Sequence, residues 1–269
     1  LVKYQCPKKE VQMAVVTSGK DKVLRYARIF VDAYDLSGDA RTVGTLMIER
    51  TEIDMTAWSN SIKQFLTGYR TAGITDLQVL LNDDTGRGFD VLKDAQNLYT
   101  ISVLLGGQGE PTIGDPAYLL PSVQLSDATG IDAGAAIMTG INFMPSSSDA
   151  GTYYGSPLGV VLHPKTSLTV TTTPDSHDIG IDVGTAGATA LGWSANIHVT
   201  ASDAGTWVFT IEHGTNDSDW ATLGTFTAAG DVLESEHISG TGTVNRYVRA
   251  LLTRTSGTAT PVITFARNF

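Results

Sequence analysis

The stretch Trp193-Ser194-Ala195-Asn196-Ile197-His198-Val199-Thr200 alternates without a break between apolar and polar residues. Successive side chains of an extended strand point to opposite faces, so Trp193, Ala195, Ile197 and Val199 share one face and Ser194, Asn196, His198 and Thr200 the other. The expectation is a half-buried strand with the first four residues in a core and the second four in water. Thr- and Gly-rich segments of the same kind surround it at residues 167–172, 207–213, 221–226, 244–253 and 262–266. Spacing of roughly 8–14 residues with turn formers between them predicts a β-sandwich.

The first half reads as strands too. Residues 25–34 form one candidate, and residues 45–55 a longer one. In the latter, Leu46, Ile48, Thr51, Ile53 and Met55 alternate imperfectly with Met47, Glu49, Arg50, Glu52 and Asp54. A slip near Arg50 would suit a β-bulge. Residues 76–81 read as a short buried strand ended by the turn formers of 82–88, and 99–105, 119–125 and 136–143 as three more strands. Phe89, Leu92 and Ala95 stand at helical spacing, which makes 89–98 the helix candidate. Patterning loosens over 145–164, and beyond Lys165 no lysine occurs. We therefore expect a first domain at 1–164, with a basic arm at about 1–10, and a C-terminal sandwich at 165–269.

Composition agrees with a mainly β, ordered protein: 269 residues, 42% hydrophobic, 17% charged, with 28 glycines. The net charge of −10 is uneven. Up to Arg28, seven basic side chains (Lys3, Lys8, Lys9, Lys20, Lys22, Arg25, Arg28) face Glu10 and Asp21, giving +5 and leaving −15 for the remainder. Such an acidic body repels phosphate backbones, which argues against tight nucleic-acid binding but not against a wall past which DNA slides. The basic segment could be an arm ordered on assembly, or 11–16 could be a first strand with solvated lysines. Cys6 is the sole cysteine, so no intrachain disulfide or cysteine metal cluster forms. No apolar run is long enough to span a bilayer and no signal peptide is evident, so the expectation is a protein soluble where it is made.

Chemistry-bearing motifs are sparse. His163, His177, His198, His213 and His237 lie on separate segments without metal-ligand spacing and read as surface histidines. Gly106-Gly107-Gln108-Gly109 has neither a Rossmann unit nor a GK[ST] after it, and reads as a hairpin loop. Asp83-Asp84 and Asp217-Ser218-Asp219 suit turns better than Ca²⁺ loops. No nucleophile elbow occurs. We assign no catalytic, cofactor-binding or metal-binding residue, and expect no cofactor and no enzyme.

Three segments carry a resemblance: Asp35-Leu36-Ser37-Gly38-Asp39-Ala40-Arg41, Ile53-Asp54-Met55-Thr56-Ala57-Trp58 and Phe65-Leu66-Thr67-Gly68-Tyr69-Arg70. In this order they resemble the opening of the tail tube (major tail) proteins of long-tailed bacteriophages and related viruses, where a D-L-S-G loop precedes an I-D-x-T strand and an F-L-x-G turn. The segments 244–250 and 263–267 resemble the closing strands of sandwich domains appended to some of these proteins. Trp58-Ser59-Asn60 departs from the family's usual aromatic followed by Gly-Asp or Gly-Asn.

The resemblance implies a tail-tube β-sandwich or barrel with a short helix, followed by an Ig-like or jelly-roll-like sandwich. It implies hexameric rings stacked into a tube that conducts viral DNA without binding it specifically. Partners would be further copies, the tape measure and the terminator, with no membrane. The location would be the virion tail, and the host cytoplasm during assembly. Asp35, Leu36, Ser37, Gly38, Asp39, Arg41, Ile53, Asp54, Phe65 and Leu66, with Lys3, Lys8 and Lys9 of the arm, become the candidate subunit contacts. The alternative is a carbohydrate-binding or capsid-decorating sandwich in which Trp207, Trp220 or Tyr247 stacks on sugar. Trp220 is its best candidate.

Overall fold

Apolar alternation in the first half resolves into strands β1 (Ala27–Val31), β2 (Tyr34–Asp35), β3 (Ala40–Thr42), β4 (Thr45–Asp54) and β5 (Phe65–Leu80), helix α1 (Gly88–Leu92), then β6 (Leu98–Leu105), β7 (Pro116–Gly130), β8 (Met138–Pro145) and β9 (Leu158–His163). The second half adds β10 (His177–Asp178), β11 (Trp193–Ser202), β12 (Trp207–Gly214), β13 (Ala221–Thr225), β14 (Glu234–Gly240), β15 (Tyr247–Arg254) and β16 (Ala259–Arg267). This computed structural model describes residues 26–57, 62–93, 98–107, 109–130, 136–146, 157–179 and 192–267. The protein is mainly β, as expected, and no helix among the described residues is long and apolar enough to cross a membrane.

Three expectations about local structure change. Residues 167–172, expected as a strand, make only isolated bridges, Leu168 to Ala259 and Thr172 to Leu252. The segment 65–69, expected as a turn, is the start of the 16-residue strand β5, and the short strand expected at 76–81 is its far end. Asp76 adopts φ 60 inside that strand, where the register against β8 shifts between Ile74 and Leu77. The helix is five residues long, with Leu92 buried and Phe89 exposed, and 94–97 lie outside the described residues. The slip near Arg50 is present: the β4–β5 register shifts between Arg50 and Glu52.

A 12-stranded antiparallel sheet runs β14-β11-β16-β9-β7-β6-β1-β2, with β8, β5, β4 and β3 branching from the far part of β7. Residues 117–123 of β7 pair with β6 and residues 122–130 with β8, so one long strand carries the chain between two layers. Between those layers lies a core containing Ile74, Leu77, Tyr99, Ile101, Tyr118 and Phe143. A second core, with Ile197, Trp207, Phe209, Leu252 and Phe265, is enclosed between the β9-β16-β11-β14 part of the sheet and a four-stranded sheet β10-β15-β12-β13.

The apolar face of β11 is in that second core, as the alternation predicts. Its polar face is not wet: Ser194, Asn196 and His198 are 0% exposed. The sheet is continuous across the expected boundary by way of β9, which ends at His163 and pairs with β7 on one side and β16 on the other. The β11–β16 layer thus folds back over β6 and β1, with Asn196 hydrogen-bonded to the carbonyl of Ile101 at 2.8 Å. A third, smaller cluster of Phe30, Leu104, Ala117, Val161 and Val262 fills the rest of this seam. Polar residues of one strand face were expected outside and are inside because another strand's back face covers them.

Candidate assembly surfaces

The loop after β1 begins with Asp32 in the left-handed region at φ 50 and returns through β2. Asp35 then organises the turn. Its carboxylate accepts from the Ser37 backbone N–H at 3.0 Å, from the Ser37 hydroxyl, and from Lys165 Nζ at 2.8 Å. Burial works to raise the Asp35 pKa, but the Lys165 and Ser37 hydrogen bonds outweigh it and hold the carboxyl below its ordinary range. Leu36 is fully buried in the first core. Asp39 is buried as well. It accepts from Asn82 Nδ2 and from the Gly88 N–H, each at 3.2 Å, and so fastens this loop to the start of α1.

Of the candidate contacts in this loop, Gly38 and Arg41 are exposed, Asp35 and Ser37 are half-buried and internally paired, and Leu36 and Asp39 face inward. Arg41 Nη1 donates to Met138 Sδ at 3.4 Å. The turn at Gly44 (φ 67) needs glycine, since a Cβ there would stand 1.9 Å from the Thr75 carbonyl oxygen.

The β4–β5 hairpin has a different character. Thr45–Asp54 pairs with β5 over its length, but β8 pairs with β5 only from Ile74 onward. Among the described strands, the outer half of the hairpin is therefore a ribbon of two strands with both edges open. Ile53 is opposite Leu66 on one face and Asp54 is opposite Phe65 on the other. Ile53, Met55, Ile62, Phe65 and Leu66 are each at least half exposed, so both faces and the tip present apolar surface.

The tip is nevertheless closed by specific bonds. Met55 N donates to Gln64 O at 2.9 Å, Thr56 N to Asp54 Oδ1 at 2.8 Å, and Gln64 N to Thr56 Oγ1 at 3.0 Å. The Thr56 contacts hold the Asp54 carboxyl below its usual range. At the base, the buried Tyr118 hydroxyl accepts from Gly73 N at 2.9 Å and lies 2.8 Å from Met47 O. β7 thereby anchors both strands of the ribbon. Lys3, Lys8, Lys9 and Trp58-Ser59-Asn60 lie outside the described residues.

The aromatic candidates of the sugar-binding alternative separate. Trp207 is core, stacked on Phe209 with ring centroids 6.3 Å apart, so it is not a surface platform. Trp220 is half-buried, and the Arg249 guanidinium lies 4.1 Å from its ring centre, held there by Glu212 at 2.7 Å. One ring face is thus taken by the protein itself. Asn216 Oδ1 accepts from the Ser218 and Asp219 N–H groups, so the Asp217-Ser218-Asp219 segment is a turn closed by Asn216.

The histidines correct the sequence reading most. His198 and His163 are buried rather than on the surface, and burial lowers the pKa of His163, His177, His198, His213 and His237. The signal available for His198 was Ser102, which interrupts the apolar run from Ile101 to Leu105 in β6. Among the described residues no group of three or more His, Cys, Asp or Glu is arranged to hold a metal ion. Neither a known protein family nor a curated protein matches this sequence.

Proposed function

We propose that the protein is a structural subunit that polymerises with copies of itself, and specifically a tail tube protein that stacks as hexameric rings around passing viral DNA. The observation that carries the self-assembly reading is the β4–β5 ribbon. An isolated two-stranded hairpin is marginal in water, and open edges bearing apolar side chains on both faces invite pairing with another chain. A second copy that covers Ile53, Met55, Phe65 and Leu66 removes both problems at once.

The tube assignment rests on the three resembling segments, and the acidic balance outside the first 28 residues suits a wall that DNA must pass without sticking. In this reading the C-terminal half decorates the tube, with an Ig-like or jelly-roll-like sandwich as its form. The protein is then a virion component and not an enzyme. The test replaces Ile53 and Leu66 together by Asn and compares parent and variant by sedimentation velocity and negative-stain microscopy. The expected result is rings or tubes for the parent and monomers of unchanged melting temperature for the variant. A parent that stays monomeric at every concentration, or a variant that assembles equally well, overturns the proposal.

A further inference from the structure

The seam between the β1–β6–β7 layer and the β9-β16-β11-β14 layer contains a hydrogen-bonded cluster whose proton positions, for neutral rings, follow from donor and acceptor chemistry. His198 Nδ1 lies 2.5 Å from the Asp32 backbone carbonyl, which only accepts, so Nδ1 carries the hydrogen. In the neutral ring Nε2 is then an acceptor, and Ser102 Oγ, 2.8 Å away, gives it its single hydrogen. Ser102 Oγ in turn accepts from Asn196 Nδ2 at 3.1 Å and from Thr264 Oγ1 at 3.0 Å. Its one hydrogen and both lone pairs are used. Asn196 spends its amide hydrogens on Ser102 and the Ile101 carbonyl, which leaves Oδ1 to accept from His237 Nδ1 at 2.6 Å. Both imidazoles therefore carry a hydrogen on Nδ1, and burial, which lowers both pKa values, keeps the second ring nitrogen unprotonated at neutral pH.

We propose that this seam is a proton-operated latch, which joins the two layers only while His198 and His237 are neutral. A proton added at His198 Nε2 turns an acceptor into a donor aimed at Ser102 Oγ, which must then turn its own hydrogen toward Thr264 Oγ1 and give up the bond it accepted from there, and it places a charge on a ring that is 0% exposed. A proton added to His237 places a charge in the same covered seam. Burial already holds both imidazoles down to about 4.

The charged groups around the seam have partners of their own. From the β1–β2 turn the Asp32 carboxylate reaches the seam, accepting from Thr100 N at 2.8 Å and Ser235 Oγ at 3.3 Å, but burial raises its pKa and acid neutralises it. On β14, Glu234 and Glu236 are engaged with the Gly230 and Ala228 N–H groups. On β9, His163 is bonded to the Pro261 carbonyl, and on β16 Arg267 donates to the Ile179 carbonyl. The Arg28–Glu110 and Lys165–Asp35 pairs stand at the rim. Among the described residues, β6 and β7 put Ser102, Leu104, Ala117 and Leu119 on the seam face, none of them titrating. The layers are also joined by the short β7–β9 ladder from Pro116↔Val160 to Tyr118↔Leu158, so release of the seam swings the C-terminal half about that junction.

The test titrates the full chain from pH 7.5 to 3.5, following imidazole ¹⁵N resonances, small-angle scattering and far-ultraviolet circular dichroism. Asn can keep an N–H in place of Nδ1–H, so His198→Asn and His237→Asn are the variants. The expected result is that both rings stay neutral to below about pH 5 and then gain protons as the particle expands with its strand signal retained. From the imidazoles the open-to-closed ratio should rise about hundredfold per pH unit in the parent and about tenfold in either variant, with Asp32, which the closed state protonates first, lowering both slopes alike. If His198→Asn does not fold, His237→Asn alone decides. Either imidazole titrating at its ordinary value in a closed particle overturns the latch. So do equal slopes in parent and variants, or expansion that coincides with loss of strand signal.

Discussion

Removing residues 165–269 tests how far the two halves depend on each other. The sequence suggests a separable C-terminal sandwich, but the seam gives the first half a face that only the second half covers. Phe30, Leu104, Ala117 and Val161 are all buried, and their cluster is completed by Val262 of β16, while the His198 ring lies 5.7 Å from that of Phe30. Exposing Phe30, Leu104 and Val161 costs roughly 1.5–3 kcal/mol each, or about 5–9 kcal/mol in all as an upper estimate. β9 also loses its β16 partner and becomes an open edge. A typical domain has about 5–15 kcal/mol in total, so most of the stability of the first half is at stake. The assay is urea unfolding of fragment 1–164 beside the full chain, by circular dichroism with a hydrophobic dye. We expect dye binding and a urea midpoint well below that of the full chain. A cooperative fragment with a midpoint close to that of the full chain, and no dye binding, would refute the reasoning.

Replacing Tyr118 by Phe should cost about 1–3 kcal/mol, because the Gly73 N–H and the Met47 carbonyl lose a buried partner; a urea midpoint equal to the parent's would show that the hydroxyl anchors nothing. Replacing Gly44 by Ala should destabilise by more than about 1 kcal/mol, since the position combines φ 67 with a backbone oxygen where Cβ must go, and a melting temperature within error of the parent's would contradict this. Stability should also fall as pH drops from 6.5 toward 4. The unfolded chain takes up imidazole protons from about 6.5 downward, whereas folded His198 and His237 refuse them until about 4, so each loses up to about 3 kcal/mol across that window and nothing further below it. Asp32, with its pKa raised by burial, acts in the opposite sense because the folded state binds its proton first. Urea midpoints that are flat between pH 7 and 4.5 would sink this account.

Most strands of the second half were legible because their apolar residues alternate, but β14 was not, and 167–172 read as a strand where only isolated bridges form. Its sequence, Glu234-Ser235-Glu236-His237-Ile238-Ser239-Gly240, has one large apolar residue, and it is a strand because β11 supplies a ladder from Trp193↔Gly240 to Val199↔Glu234. Tertiary pairing overrides weak local preference in this way. β5 was legible only in part, since Gly68, Gly73 and Asp76 interrupt it and each reads as a break. The exposed ribbon tip could be anticipated from Ile53 and Phe65-Leu66, yet its openness depends on where β8 stops pairing, which no local pattern encodes.

The seam was hidden for a different reason. Period two assigns residues to faces but cannot say what covers a face, and a polar face reads as wet unless its partners are known. The partners did leave a trace. Ser102 interrupts Ile101-Ser102-Val103-Leu104-Leu105, and Thr264 interrupts Val262-Ile263-Thr264-Phe265-Ala266. A hydroxyl in the middle of a buried apolar strand is costly unless something satisfies it. Two such residues on separate strands, together with a strand offering Asn196 and His198 at the same period, were enough to suggest that the polar groups meet one another. Their fit then limits what the site tolerates: two largely buried rings, one bonded to Ser102 and one to Asn196, share a seam with no exposed face on the β11 side, and sensitivity to acid follows from charging either ring there.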